Sequence, residues 1–386
     1  MNDFISKVVQ DLPSSGIRKF FDIASEMEDV VSLGVGEPDF TTPWHIREEA
    51  IFSLENRRTM YTSNSGMPEL RDEISRYMSA KYSLSYNPDR QIVVTVGASE
   101  GIDIALRAIV EPGDEVLVVE PCFVSYKPCV IMAGGVPVSV PSSAENSFRV
   151  TAGDIEKRLT PKTKAILISY PSNPTGAILE GRDLEEIASL LRDRALVVIS
   201  DEIYAELTYG DAVHTSIASF PGLSEKTIVL NGFSKAFAMT GWRLGYACGP
   251  VSLIEAMTKI HQYVLMCAPT IAQYAGIEAL RNGATRVDHM RREYNSRRRF
   301  MLNELRKMKI DCFEAKGAFY LFPSISRFGL SSEDFCTRLL REQQLAVVPG
   351  TAFGDCGEGH VRCSYAYSID NIKQALSRLR EFIKTL

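Results

Sequence analysis

The segment Asn231-Gly232-Phe233-Ser234-Lys235-Ala236-Phe237-Ala238-Met239-Thr240-Gly241-Trp242-Arg243-Leu244-Gly245 decides how the chain is read. Ahead of it, Thr227 to Leu230 is a short apolar run with the pattern of a buried strand. Lys235 therefore stands where a strand ends and a loop begins. Gly232 and Ser234 are small neighbours that let a ligand come close to the backbone. Farther on, Arg243 supplies a second cation before another apolar segment. A lysine on a tight loop with an arginine nearby suits an amine nucleophile beside a phosphate anchor. The plain alternative is a surface loop with two solvated cations, and the flanking sequence has to choose.

Outward from this stretch the pattern is regular. Apolar runs fall at Ile92–Val96, Val116–Val119, Val136–Val140, Ala165–Ile168, Leu196–Ile199, Thr227–Leu230 and Leu244–Cys248. Helical patterns such as Gly101–Val110 and Leu184–Arg192 separate most of them. Alternating strands and helices predict an α/β fold, with a mostly parallel seven-stranded sheet between helices. Upstream, helices are expected from Gly16 to Asp29, from Thr42-Pro43 to about Asn56, and from Pro68 to Tyr82, with an extended segment at Val30–Leu33. Downstream, helices are expected over Ser252–Tyr263 and from about Thr285 to Met308. The last part then changes character. Short strands near Ile310–Phe313, Ala318–Phe322, Ala346–Val348 and Val361–Tyr365 alternate with helices at Ser332–Gln343 and Asn371–Lys384, which predicts a smaller α+β unit.

Bulk properties narrow the function. The 386 residues exceed one compact core of ordinary size, so a large and a small domain are expected. A net charge of −5 with dispersed basic residues argues against a nucleic-acid partner. No apolar run is long enough for a membrane span. The first twelve residues carry acidic groups and no long apolar core, which predicts no secretory signal. The eight cysteines are scattered without a C-x-x-C pair, which favours reduced thiols in the cytoplasm. The histidines show no metal-ligand spacing, so no metal site is expected.

Ligands of parallel α/β sheets gather at the carboxyl ends of the strands. Four segments fall at such ends: Gly97-Ala98-Ser99-Glu100-Gly101, Tyr170-Pro171-Ser172-Asn173-Pro174-Thr175-Gly176, Ser200-Asp201-Glu202-Ile203-Tyr204, and the Lys235 stretch. The first also fits the G-x-S-x-G nucleophile elbow of serine hydrolases, with His360 late in the chain as that order requires. The same residues make a helix N-terminus, whose N–H groups and dipole hold a phosphate. The phosphate cradle is the preferred reading. Asp201 follows a continuous apolar run, and a carboxylate there is costly unless a cation pairs with it. A helix N-cap is its plain alternative, as a turn is for Asn173 and core packing for Tyr204.

Taken together, these residues resemble those of a class I aminotransferase of fold type I, an enzyme that uses pyridoxal 5′-phosphate (PLP). The resemblance rests on Gly36-Glu37-Pro38-Asp39-Phe40, Asn173-Pro174-Thr175-Gly176, Asp201-Glu202-Ile203-Tyr204, Ser234-Lys235 with Gly241-Trp242-Arg243, Gly317-Ala318-Phe319-Tyr320, Pro349-Gly350-Thr351-Ala352-Phe353-Gly354 and Val361-Arg362, in family order along nearly the whole chain. It is strongest toward bacterial and archaeal alanine-type and aromatic-type members. It implies a large PLP-binding domain over 45–285 and a small domain built from 1–44 and 286–386.

By that resemblance Lys235 would carry PLP as a Schiff base and then move the substrate Cα proton. Asp201 would pair with the pyridine nitrogen, and Tyr204 and Asn173 would bond the ring oxygen. Ala98, Ser99, Ser234 and Arg243 would hold the phosphate, and Phe123 would stack on the ring, where the family usually has tryptophan or tyrosine. Tyr61 would reach the phosphate of a neighbouring subunit, implying a homodimer. Arg362 would clamp the substrate carboxylate, with Gly36 against the substrate and a segment near Ile17 closing over it. Gly232 takes a position where some members have a phosphate-binding serine. Ser99 stands in place of a lysine found in some aspartate-using members. The implied reaction is a ping-pong exchange between an amino acid, alanine or aromatic by preference, and a 2-oxo acid such as 2-oxoglutarate. The alternatives are a C–S lyase, an aspartate aminotransferase and, remotely, a serine hydrolase through Ser99.

Overall fold

A computed structural model describes residues 4–12 and 27–386. The apolar runs become the strands of one sheet. In chain order the first strands are β1 (Val31–Ser32), β2 (Ile92–Thr95), β3 (Glu115–Glu120), β4 (Val136–Pro141), β5 (Thr163–Ser169) and β6 (Val197–Asp201). They are followed by β7 (Thr227–Gly232), β8 (Gly245–Cys248), β9 (Tyr320–Leu321), β10 (Leu345–Ala346), β11 (Val348–Pro349) and β12 (Val361–Ser364). The large sheet has seven strands in the order β2-β8-β7-β6-β5-β3-β4. β8 runs antiparallel to both its neighbours, and the other pairings are parallel.

Both faces of this sheet are buried because successive side chains point to opposite sides. Ile92, Val94, Val229, Tyr246 and Cys248 enter one core with the helices Pro68–Tyr82 and Thr270–Asn282. Val93, Ile228, Leu230 and Ala247 enter another on the opposite side, with helices Gly97–Ile109 and Val251–Val264. The pattern of continuous apolar runs follows from this two-sided burial.

The C-terminal part has its own core. β9, β11 and β12 form an antiparallel sheet, and β1 pairs in parallel with β10. Leu33 packs into the same cluster as Leu321, Leu345, Val361 and Phe382, so the segment near β1 belongs with the late chain.

Several expectations need correction. Ile310–Phe313 is not a strand: Ile310 N bonds back to Leu305 O, and Asp311 O accepts a single bond from Ser324 N, so no ladder forms. The strand expected over Ala346–Val348 is two short strands with different partners, β10 on β1 and β11 on β12. The helix Thr270–Asn282 was not anticipated, because its buried face is largely Ala and Gly and gives little apolar contrast. The helix expected at Gly101 begins at Gly97. Most of the helix expected over Gly16–Asp29, including Ile17, lies outside the described residues.

One crossing positions the site. Gly232 pairs with Gly245 across β7 and β8. A Cβ on Gly232 would lie 2.8 Å from Gly245 Cα, and one on Gly245 would lie 2.6 Å from Ala98 N. Glycine at both places lets the end of β7, the start of β8 and the turn after β2 press together. Gly232 thus serves the packing of these strands. Among the described residues no helix is long and apolar enough to cross a membrane.

Candidate active site

A cavity of about 280 Å³ opens at the carboxyl ends of the parallel strands. Gly36, Ala98, Ser99, Phe123, Asn173, Asp201, Tyr204, Ser234, Lys235, Arg243 and Arg362 all line it. Tyr61 does not: it is 80% exposed on the outer surface. Ile17 is outside the described residues.

Lys235 follows β7, and its Nζ donates to Gly36 O at 2.8 Å. Burial pushes its ammonium down to about 8, with Arg362 and Arg243 adding to the effect while the charges of Glu37 and Asp201 oppose it. An amine so placed is deprotonated far more readily than an ordinary lysine. Asp201 ends β6 and is buried. Burial raises its carboxyl above the usual range, and hydrogen bonds from Tyr126 and from the backbone of Ile203 pull it back. Its Oδ2 accepts from the Tyr126 hydroxyl at 2.7 Å and its Oδ1 from Ile203 N at 3.1 Å. The N-cap alternative fails, since Asp201 is followed by turns rather than a helix.

Arg362 lies on β12, buried beneath the loop that follows β1. It donates to Asn173 Oδ1 at 2.8 Å and to Gly34 O, and its Nε has no partner among the described residues. Its guanidinium lies 4.6 Å from the Tyr320 ring centroid and 4.8 Å from that of Phe353. Tyr204 and Tyr320 share a hydrogen bond of 2.8 Å between their hydroxyls.

The turn after β2 supplies the cradle. Gly97, at φ +77°, opens the helix that carries Ala98 and Ser99 in its first turn. A Cβ there would fall 2.7 Å from Arg243 Nη2, so glycine gives the guanidinium its place. Arg243 also donates to Thr240 O at 3.0 Å. The hydrolase alternative has no base: the His360 ring stacks on Phe322 with centroids 5.1 Å apart, and its Nδ1 faces Glu358 O. Among the described residues no hydrogen bond joins Ser99 to a histidine.

Tyr126, Ser169, Thr240 and Tyr320 also line the cavity and were not singled out from the sequence as site residues. Tyr320 stands inside the quoted Gly317–Tyr320 motif and Thr240 inside the quoted Asn231–Gly245 stretch, while Tyr126 and Ser169 carried no signal.

Residues 28–379 match the family described as Aminotransferase class I and II. The chain belongs to that family. It is an aminotransferase. The enzyme is 53% identical to a Bacillus subtilis protein provisionally named aminotransferase YugH, over 99% of each chain. It is 46% identical to the aspartate aminotransferase of Pyrococcus abyssi over 96% of each. The crystal structure of an aromatic aminotransferase from Pyrococcus horikoshii superposes on this aminotransferase with a TM-score of 0.91 at 44% identity, covering 95% of this chain and 99% of that one.

The family implies PLP, and the donor set fits it. A helix N-terminus with Arg243 and Ser234 suits a phosphate dianion, a buried carboxylate suits a ring-nitrogen cation, and a buried lysine of lowered pKa suits an aldehyde.

Proposed function

We propose that the enzyme moves the α-amino group of an alanine-type or aromatic amino acid to a 2-oxo acid such as 2-oxoglutarate, in a ping-pong exchange with PLP as cofactor. The observation that carries this reading is the shared cavity of Lys235, Asp201 and Arg362. Lys235 would hold PLP, Asp201 would face its ring nitrogen, and Asn173 and Tyr204 would serve its ring oxygen. The amides of Ala98 and Ser99, with Ser234 and Arg243, would take the phosphate, and Phe123 would cover the ring. When bound there, PLP supplies an electron sink that acidifies the substrate Cα–H bond.

The remaining work falls to the chain. Arg362 binds and orients the substrate carboxylate with a planar pair of N–H donors. Gly36 borders the substrate. Lys235 Nζ, released from Gly36 O, collects the Cα proton and gives it back. Val35, Ile102, Phe123 and Ile203 make the cavity wall apolar, which supports an uncharged substrate side chain. Relatives are named for both aspartate and aromatic substrates. Among the described residues the cations lining the cavity are Lys235, Arg243 and Arg362, and all have other tasks in this scheme.

The proposal extends to a homodimer. Tyr61 and Met60 are exposed beside exposed Tyr263, Val264 and Met266, and the segments are tied by Asn64 Nδ2 to Met266 O and Thr270 Oγ to Met60 O, both at 2.7 Å. A second copy would cover this apolar patch and receive Tyr61 at its phosphate site. The core shared by Leu33 and the late chain supports the division into 45–285 and the two flanking parts, 1–44 and 286–386. The eight unpaired cysteines support a cytoplasmic location.

The test is an absorbance spectrum of protein reconstituted with PLP, before and after a panel of amino acids. A yellow band that bleaches with phenylalanine or alanine and returns with 2-oxoglutarate supports the proposal. Bleaching by aspartate alone would refute the substrate assignment, and failure to take up PLP would refute the cofactor.

A further inference from the structure

Asp201 is a carboxylate in an expensive place. It is buried, and desolvation favours its neutral form. Two groups hold it: the Ile203 N–H on Oδ1 at 3.1 Å and the Tyr126 hydroxyl on Oδ2 at 2.7 Å. The first is backbone and comes with the turn. The second is a side chain from another element, the helix Tyr126–Met132 that follows β3.

Tyr126 is itself 1% exposed, and its phenol is pushed far above its ordinary value by burial and by the Asp201 charge, so it stays a donor. Ser169, at the end of β5, lines the same cavity. The ring meets Phe123 edge-on, with centroids 5.7 Å apart and planes at 78°. One side chain thus touches the aromatic wall of the cavity with its ring and the buried carboxylate with its oxygen.

We propose that Tyr126 is a positioning residue that fixes the Asp201 carboxylate in its charged form and sets its direction relative to Phe123. This rests on the reading of Asp201 as the partner of the PLP ring nitrogen. With the phenol oxygen removed, Asp201 keeps only the Ile203 N–H. Its carboxyl then takes up a proton more easily and turns more freely, and it becomes a weaker partner for a cationic ring nitrogen. The role is specific to Asp201, so it disappears when Asp201 does.

The test is a double-mutant cycle on PLP affinity, measured by equilibrium dialysis of the apo-protein and so independent of turnover. Tyr126→Phe is expected to weaken PLP binding about 10-fold in the wild-type background, as for loss of a hydrogen bond to a charged group. In an Asp201→Ala background the same change is expected to alter affinity by less than about 2-fold. Pyridine-15N NMR of labelled PLP should show the ring nitrogen less protonated in Tyr126→Phe than in wild type. Unchanged affinity and ring protonation in Tyr126→Phe would overturn the proposal. So would an equal loss in both backgrounds, which marks a purely structural role. A wild-type protein that takes up no PLP removes the reading underneath, and the proposal with it.

Discussion

Lys235 Nζ and the carbonyl oxygen of Gly36 are joined by a 2.8 Å hydrogen bond between parts of the chain 199 positions apart. The bond closes the cavity from the side of the loop after β1. Loop and lysine meet because β1 belongs to the C-terminal core while Lys235 stands in the turn that follows β7 of the large sheet. The amine is paired, yet burial still lowers its pKa to about 8. It has to leave Gly36 before it can act.

The first prediction concerns pH. The folded-state value of about 8 lies below that of an ordinary lysine, so the neutral, nucleophilic amine dominates above that pH. Attachment of PLP to apo-protein should therefore speed up as pH rises toward 8 and level off above 9. Stopped-flow absorbance measures this. A rate still climbing at about pH 10, as for a solvated lysine, would contradict the burial argument.

Arg362→Lys replaces a planar fork by a point charge. It should raise KM for the amino acid about 10-fold or more, with PLP affinity held within about 2-fold. Steady-state kinetics and PLP dialysis on the same preparation separate the two effects. An unchanged KM would remove Arg362 from substrate binding.

Gly97→Ala tests the cradle. The residue has a φ of +77°, and the new Cβ would lie 2.7 Å from Arg243 Nη2. A left-handed non-glycine residue costs about 1–3 kcal/mol, and the displaced guanidinium should weaken PLP binding more than that of pyridoxal, which lacks the phosphate. Equal losses for the two ligands would count against the phosphate role.

Gly232→Ser puts back the residue that some family members carry. Here its Cβ would press on Gly245 Cα at 2.8 Å and Leu244 O at 3.0 Å. We expect a loss of about 1–3 kcal/mol in urea unfolding, as for overpacking, and no gain in PLP affinity. A stable variant with tighter PLP binding would show that the strand crossing yields.

The sheet and the four strand ends that line the cavity were legible because most strands are short apolar runs buried on both faces, and polar residues such as Asp201 and Lys235 stand out where a run stops. Other features had no local signal. β8 reads like its neighbours but runs the other way, since direction depends on the connection and not on composition. Nothing in the sequence marks Tyr126, and only the fold shows its hydroxyl on Asp201. Ile310–Phe313 has a strand's composition, but Asp311 O takes a single bond from Ser324 N and no ladder follows. The bonds of Arg362 to Asn173 and Gly34 join segments remote in sequence and follow from the way β1 and β12 meet.

The central claim is that Lys235 is the attachment lysine. Borohydride reduction of the PLP-loaded protein, followed by digestion and peptide mass mapping, tests it directly. The account predicts a phosphopyridoxyl group on Lys235 and no such adduct in Lys235→Met. A reduced adduct on a different lysine, with Lys235 unmodified, would contradict it.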